Sequence, residues 1–182
     1  MDMMKALILT LAACSLAAGS PSFGQQSEGL SLSKECLFTV PEGVEARYVT
    51  FHSRGRSWAC CCERGGKVYF VVNGEEQAPY DGVWYPDFSP DGNRFGYLAH
   101  LGDKELIVVD GAAQKSYDRI PYEGHEMGWA IAFSPNSKRF AYMAEQGDKQ
   151  LVVLDGVEQK AYDEVSDPTF SPDSRRLAYT AR

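Results

Sequence analysis

An all-β fold is what this sequence predicts: a β-propeller of about three and a half blades, each blade four antiparallel strands. Three observations lead to it. A unit of about forty residues repeats, turn chemistry recurs at fixed offsets inside each copy, and strand-length apolar runs lie between the turns.

The repeat is aligned on Phe88-Ser-Pro, Phe133-Ser-Pro and Phe170-Ser-Pro, with Phe51-His-Ser as a degenerate first copy. Counted from that phenylalanine, a glycine recurs at +14 (Gly65, Gly102, Gly147) and a hairpin glycine at +23 (Gly74, Gly111, Gly156). A Tyr-Asp pair recurs at +29: Tyr80-Asp81, Tyr117-Asp118 and Tyr162-Asp163. The copies start 37, 45 and 37 residues apart, so the second connection carries eight extra residues.

Each strand follows from its neighbours. The first ends at the marker phenylalanine, where Ser89-Pro90-Asp91-Gly92 suits a type I turn, with Pro presetting φ and Gly closing. The second strand is expected at residues 94–100, 139–145 and 176–182. Its apolar residues point both ways, Phe140, Tyr142 and Ala144 to one side and Ala141 and Met143 to the other. A Gly-Asp-Lys turn follows at 102–104 and 147–149. The third strand is the most apolar, at 68–72, 106–109 and 151–154, as suits burial on both faces. Asn73-Gly74, Asp110-Gly111 and Asp155-Gly156 then read as hairpin turns that need positive φ. The fourth strand, near 115–120, is polar, as an outer edge should be. Blades are expected at about 44–83, 84–120 and 129–165, with a partial blade at 166–182.

The Phe-Ser-Pro-Asp-Gly turn, the Arg-Phe/Leu-Ala-Tyr strand after it and the hairpin glycine together resemble the TolB-type, WD-repeat-like propeller repeat over about residues 44–182. The resemblance implies the fold and an envelope protein partner. That repeat occurs both in periplasmic scaffolds and in the gating domains of peptidases.

Residues 1–24 read as an export signal. Lys5 precedes the apolar run from Ala6 to Ala13, too short to span a bilayer, and small residues follow. Two processing routes are open. Leu11-Ala12-Ala13-Cys14 resembles a lipobox, which would make Cys14 the lipidated mature terminus and tether the chain to a membrane. Cleavage after Gly19 or Gly24 is the other. The expected location is the periplasm, or the outer membrane for a lipoprotein. Residues 25–43 read as a leader, in which 29–40 could add a strand to the last blade. A second copy completing the ring, or a longer chain, would also close the propeller.

The chain has 182 residues, 44% hydrophobic and 24% charged, with a net charge of −7. These proportions exclude disorder throughout, and the charge argues against a nucleic-acid binder. The Tyr-Asp pairs read as structural, the aspartate tying down a loop. Acidic loops gather Asp103, Asp118, Asp148, Asp163 and Asp167 on one expected face. The candidate binding patch is the extended loop after Pro121, with Tyr122, Glu123, His125, Glu126 and Trp129. Cys60-Cys61-Cys62 falls on core positions and reads as buried small apolar residues, with a disulfide from Cys36 to Cys60 or Cys62 as the other reading. No metal site or cofactor is expected, for no ligand spacing or phosphate loop is present. His52, His100 and His125 stand apart from any nucleophile, and no G-x-S-x-G elbow exists. The expectation is a non-catalytic scaffold binding an envelope protein or small ligand. The alternative is the gating propeller of a larger hydrolase.

Overall fold

The computed structural model describes residues 8–11, 32–35, 38–53, 57–122 and 130–182. Two units are distinguished, Met1–Glu42 and Gly43–Arg182. In the first, β1 (Ile8–Leu11) pairs antiparallel with β2 (Leu32–Glu35), Ile8 opposite Glu35 and Leu11 opposite Leu32. These strands lie in the stretches expected as signal and as leader. Cys14 and Cys36 fall outside the described residues.

The second unit is the run of blades. The first consists of β3 (Glu45–Phe51), β4 (Trp58–Arg64), β5 (Lys67–Val72) and β6 (Glu75–Glu76), paired in that order. The next holds β7 (Gly82–Phe88), β8 (Phe95–Leu101), β9 (Lys104–Val109) and β10 (Ala112–Tyr117). The third holds β11 (Ala132–Phe133), β12 (Phe140–Gln146), β13 (Lys149–Leu154) and β14 (Val157–Glu158). The last sheet has two strands, β15 (Thr169–Phe170) and β16 (Leu177–Ala178). All pairings are antiparallel neighbours in sequence, the topology of propeller blades. The chain is a partial β-propeller.

The turns behave as their residues require. Asn73, Asp110 and Asp155 sit at φ of 50 to 52°, and Gly74, Gly111 and Gly156 at 77 to 95°. A turn this tight starts the outer strand at once, so β10 begins at Ala112 and ends before the expected 120. In the marker turn Gly92 lies at φ 75° and its N–H reaches the Ser89 carbonyl at 2.8 Å. Serine takes its place in the next two copies, Ser137 at 62° and Ser174 at 61°.

The core lies in the seams between blades. Because β8 alternates, Tyr97 and Ala99 pack with Cys61, Phe70 and Val108, while Leu98 packs with Ile107, Tyr142 and Val153. Ala141, Met143 and Val152 pack towards the last sheet with Phe170. Phe140, Tyr142 and Ala144 do face opposite to Ala141 and Met143, as their alternation predicts.

Two sets of polar pins cross the seams at opposite ends of the second strands. At one end the Ser137 hydroxyl accepts the Asp91 N–H at 3.0 Å, and the Ser174 hydroxyl accepts the Asn136 N–H at 3.0 Å. At the other, Asp81 accepts the Gly102 N–H at 2.8 Å and Asp118 accepts the Gly147 N–H at 2.6 Å. Each of these aspartates also pairs with a lysine of its own blade, Lys67 at 2.5 Å and Lys104 respectively. The amide and ammonium donors hold both carboxyls below the usual carboxylate range. So the aspartate of the Tyr-Asp pair does tie down a loop, and that loop belongs to the next blade. Asp163 pairs with Lys149. Of the acidic loop residues, Asp118 and Asp163 are thus each paired with a lysine.

Candidate functional site

The inner strands of the three blades and of the last sheet converge on one cavity of about 910 Å³. Its wall repeats the same register four times: Thr50–Phe51, Asp87–Phe88, Ala132–Phe133 and Thr169–Phe170. His52, Pro86, Pro121, Ile131 and Asp167 complete much of the remaining lining. The marker phenylalanines thus serve two purposes. Phe88 leans on the seam cluster beside Phe95, ring centroids 4.8 Å apart, while Phe51 keeps 38% of its surface exposed.

Two irregularities occur at this wall, besides register shifts in β3 at Arg47 and in β10 between Ala113 and Ser116. The first lies within β7. Trp84 pairs with Leu98 and Asp87 with Gly96, so Tyr85 and Pro86 together oppose Tyr97. This is a β-bulge, and proline is tolerated there because a bulged residue gives up its ladder bond. Tyr85 sits at φ 51°, a left-handed conformation that costs an aromatic residue of order 1–3 kcal/mol. The bulge re-aims the strand just before Asp87. Where the other blades have Thr50, Ala132 and Thr169, this one presents a carboxyl. Burial pushes the Asp87 carboxyl up from 3.8 to about 6, against a lowering contribution from the Phe88 N–H.

The second irregularity is the eight-residue insertion. Arg119 bridges to Glu145 as Gly82 pairs with His100, 45 residues earlier on the second strand. The inner strand of the third blade therefore begins at Arg119, earlier than the expected 129, and resumes at Ala132. The insertion interrupts a strand and does not merely lengthen a link between blades. Ile120 is fully buried and its N–H is held by Glu105 at 2.6 Å, which anchors the entry; Ala130 and Ile131 are buried at the exit.

Of the patch expected after Pro121, Tyr122 is half-buried and packs against Tyr85, ring centroids 4.5 Å apart. Strained bulge and insertion thereby touch. Glu123, His125, Glu126 and Trp129 lie outside the described residues. His52 lines the cavity, whereas His100 stands against Trp84 at 4.2 Å and pairs with Glu105 at 2.9 Å. Tyr85 and Asp87 escaped sequence reasoning, although Pro86 inside a strand was a readable sign of a bulge.

The cysteines stand apart from this cavity. Cys60, Cys61 and Cys62 are buried free thiols, and Cys60 and Cys62 share a face with sulfurs 3.7 Å apart. Burial raises the Cys61 thiol. Among the described residues no group of three His, Cys, Asp or Glu side chains could hold a metal ion.

No family model matches the chain, and no curated protein matches it. Several solved structures are similar in fold. Hydrazine synthase from Kuenenia stuttgartiensis is 15% identical, with a TM-score of 0.35 over 72% of this chain and 42% of that one. TolB from Acinetobacter baumannii is 17% identical, with a TM-score of 0.37 over 82% of this chain and 40% of that one. The chain thus spans about two fifths of the length of these structures.

Proposed function

We propose that this chain is an exported, non-catalytic β-propeller scaffold that binds a partner or ligand of the cell envelope through the cavity of its inner strands. The observation that carries the reading is the coincidence of three departures from the repeat at one wall. A bulge with Tyr85 at positive φ, an out-of-pattern carboxyl at Asp87 and an insertion all occur there. Strain of this kind persists when the surrounding structure holds it and commonly accompanies a binding site. A cavity of about 910 Å³ has the size of ligand sites. Export is supported by Lys5, the apolar run after it and the small residues beyond.

Site-specific photo-crosslinking in the intact cell tests this. A crosslinking residue at Ala132, in the wall, should give a discrete adduct, and one at the exposed Val157 on an outer strand should not. Adducts at Val157 alone would overturn the cavity as the binding site. The mass of the mature protein tests export, since an intact residue 1 with unmodified Cys14 would overturn it.

A further inference from the structure

Resting on the cavity as the binding site, we infer that its ligand is an organic ammonium ion, with Asp87 as counter-ion and the marker phenylalanines as the apolar wall. The other blades show what the fold needs at this position. Three of the four put Thr50, Ala132 and Thr169 at this register, so a neutral side chain satisfies the fold there. Asp87 is therefore not a requirement of blade geometry. It is also poorly accommodated. Its carboxyl accepts the adjacent Phe88 N–H, and burial in a largely apolar wall disfavours its charged form.

The charges around it have one sign. The described lining holds Asp87 and Asp167 and no lysine or arginine, which opposes an anionic guest. The rest of the wall is largely phenyl, proline and aliphatic. A hydrated inorganic cation would gain little from that surface, and no three-ligand metal cluster is present among the described residues. An ammonium group on an apolar body uses both parts. Its charge meets Asp87, its body displaces water from the prolines and Ile131, and the open ring of Phe51 offers a cation–π face.

Calorimetric titration at pH 7.5 of the full chain with phenethylammonium, 2-phenylethanol and phenylacetate separates charge from shape. The ammonium is expected to bind about tenfold more tightly than the alcohol, and phenylacetate more weakly than either. Asp87→Asn should remove most of that tenfold preference, with its folded state verified by thermal melting. Equal binding of ammonium and alcohol, or a preference that survives Asp87→Asn, overturns the inference. Ala132→Trp keeps the two readings apart. If it blocks the alcohol while the ammonium shows no preference, the cavity stands and the cation falls. If it affects no probe, both fall.

Discussion

The second and third blades have the same four strands, but their inner strands are made differently. In the second, β7 runs unbroken for seven residues and departs from regularity at a single bulge. In the third, the same strand survives at its two ends, Arg119 against Glu145 and Ala132–Phe133 against β12, with the insertion between them. The flanking seam is nevertheless dense, with Ile107, Ile120, Tyr142 and Val153 each at 1% exposure or less. A blade thus needs its middle strands and the ends of its inner strand, and leaves the centre of that strand free to vary.

Emptying the seam should do the most damage to this arrangement. Ile107→Ala should lower unfolding free energy by about 3–4 kcal/mol in urea, because Ile107 is fully buried between the two blades. A loss under about 1 kcal/mol would mean the seam does not support the interrupted strand.

Next in size, Asp87→Asn should stabilise the protein by about 2 kcal/mol at pH 7.5, since ionising this carboxyl in its buried place opposes folding. The sign follows from the raised value. The folded chain holds the proton more tightly, so stability falls as pH rises from about 4 to about 6 and then levels. Thermal melts of both proteins across that range should diverge from pH 4 upwards. Parallel curves would remove the idea that β7 sacrifices stability for a site.

Smaller effects are expected at the pins. Ser137→Ala keeps the positive φ but loses the hydroxyl, and should cost about 1–2 kcal/mol. Ser137→Gly relieves the backbone and should cost less. Equal losses would show that the positive φ costs nothing here, and no loss in Ser137→Ala would show that the hydroxyl contributes nothing to the contact between blades. Smallest of all, deleting residues 122–129 restores the 37-residue spacing and should change stability by less than about 1 kcal/mol. A larger loss would make the insertion part of the third blade's framework.

The blades were legible because turn chemistry is local. Asp110-Gly111 and Ser89-Pro90-Asp91-Gly92 declare their backbone conformations without help from the rest of the chain. The site was less legible, for its information is positional. An aspartate before a phenylalanine means little until four inner strands are laid side by side, and only then does Asp87 differ from Thr50, Ala132 and Thr169. The insertion was visible as 45 against 37, but its position inside a strand was not. Arg119 pairs with Glu145 through backbone groups that any residue carries. The Tyr-Asp pair was read rightly as structural, yet its target across the seam required the pairing of whole blades.

The pins at the two ends of β8 and β12 are separated by a strand of seven residues, roughly 20 Å. A plate fastened at one point can pivot; fastened at two, it cannot. The seam between the second and third blades has both fastenings, Asp91 to Ser137 and Asp118 to Gly147, which resist a change in the angle between those two blades. On the proposed reading of the cavity, that seam would act as a gauge of a guest's girth, and loosening either fastening would turn the gauge into a hinge.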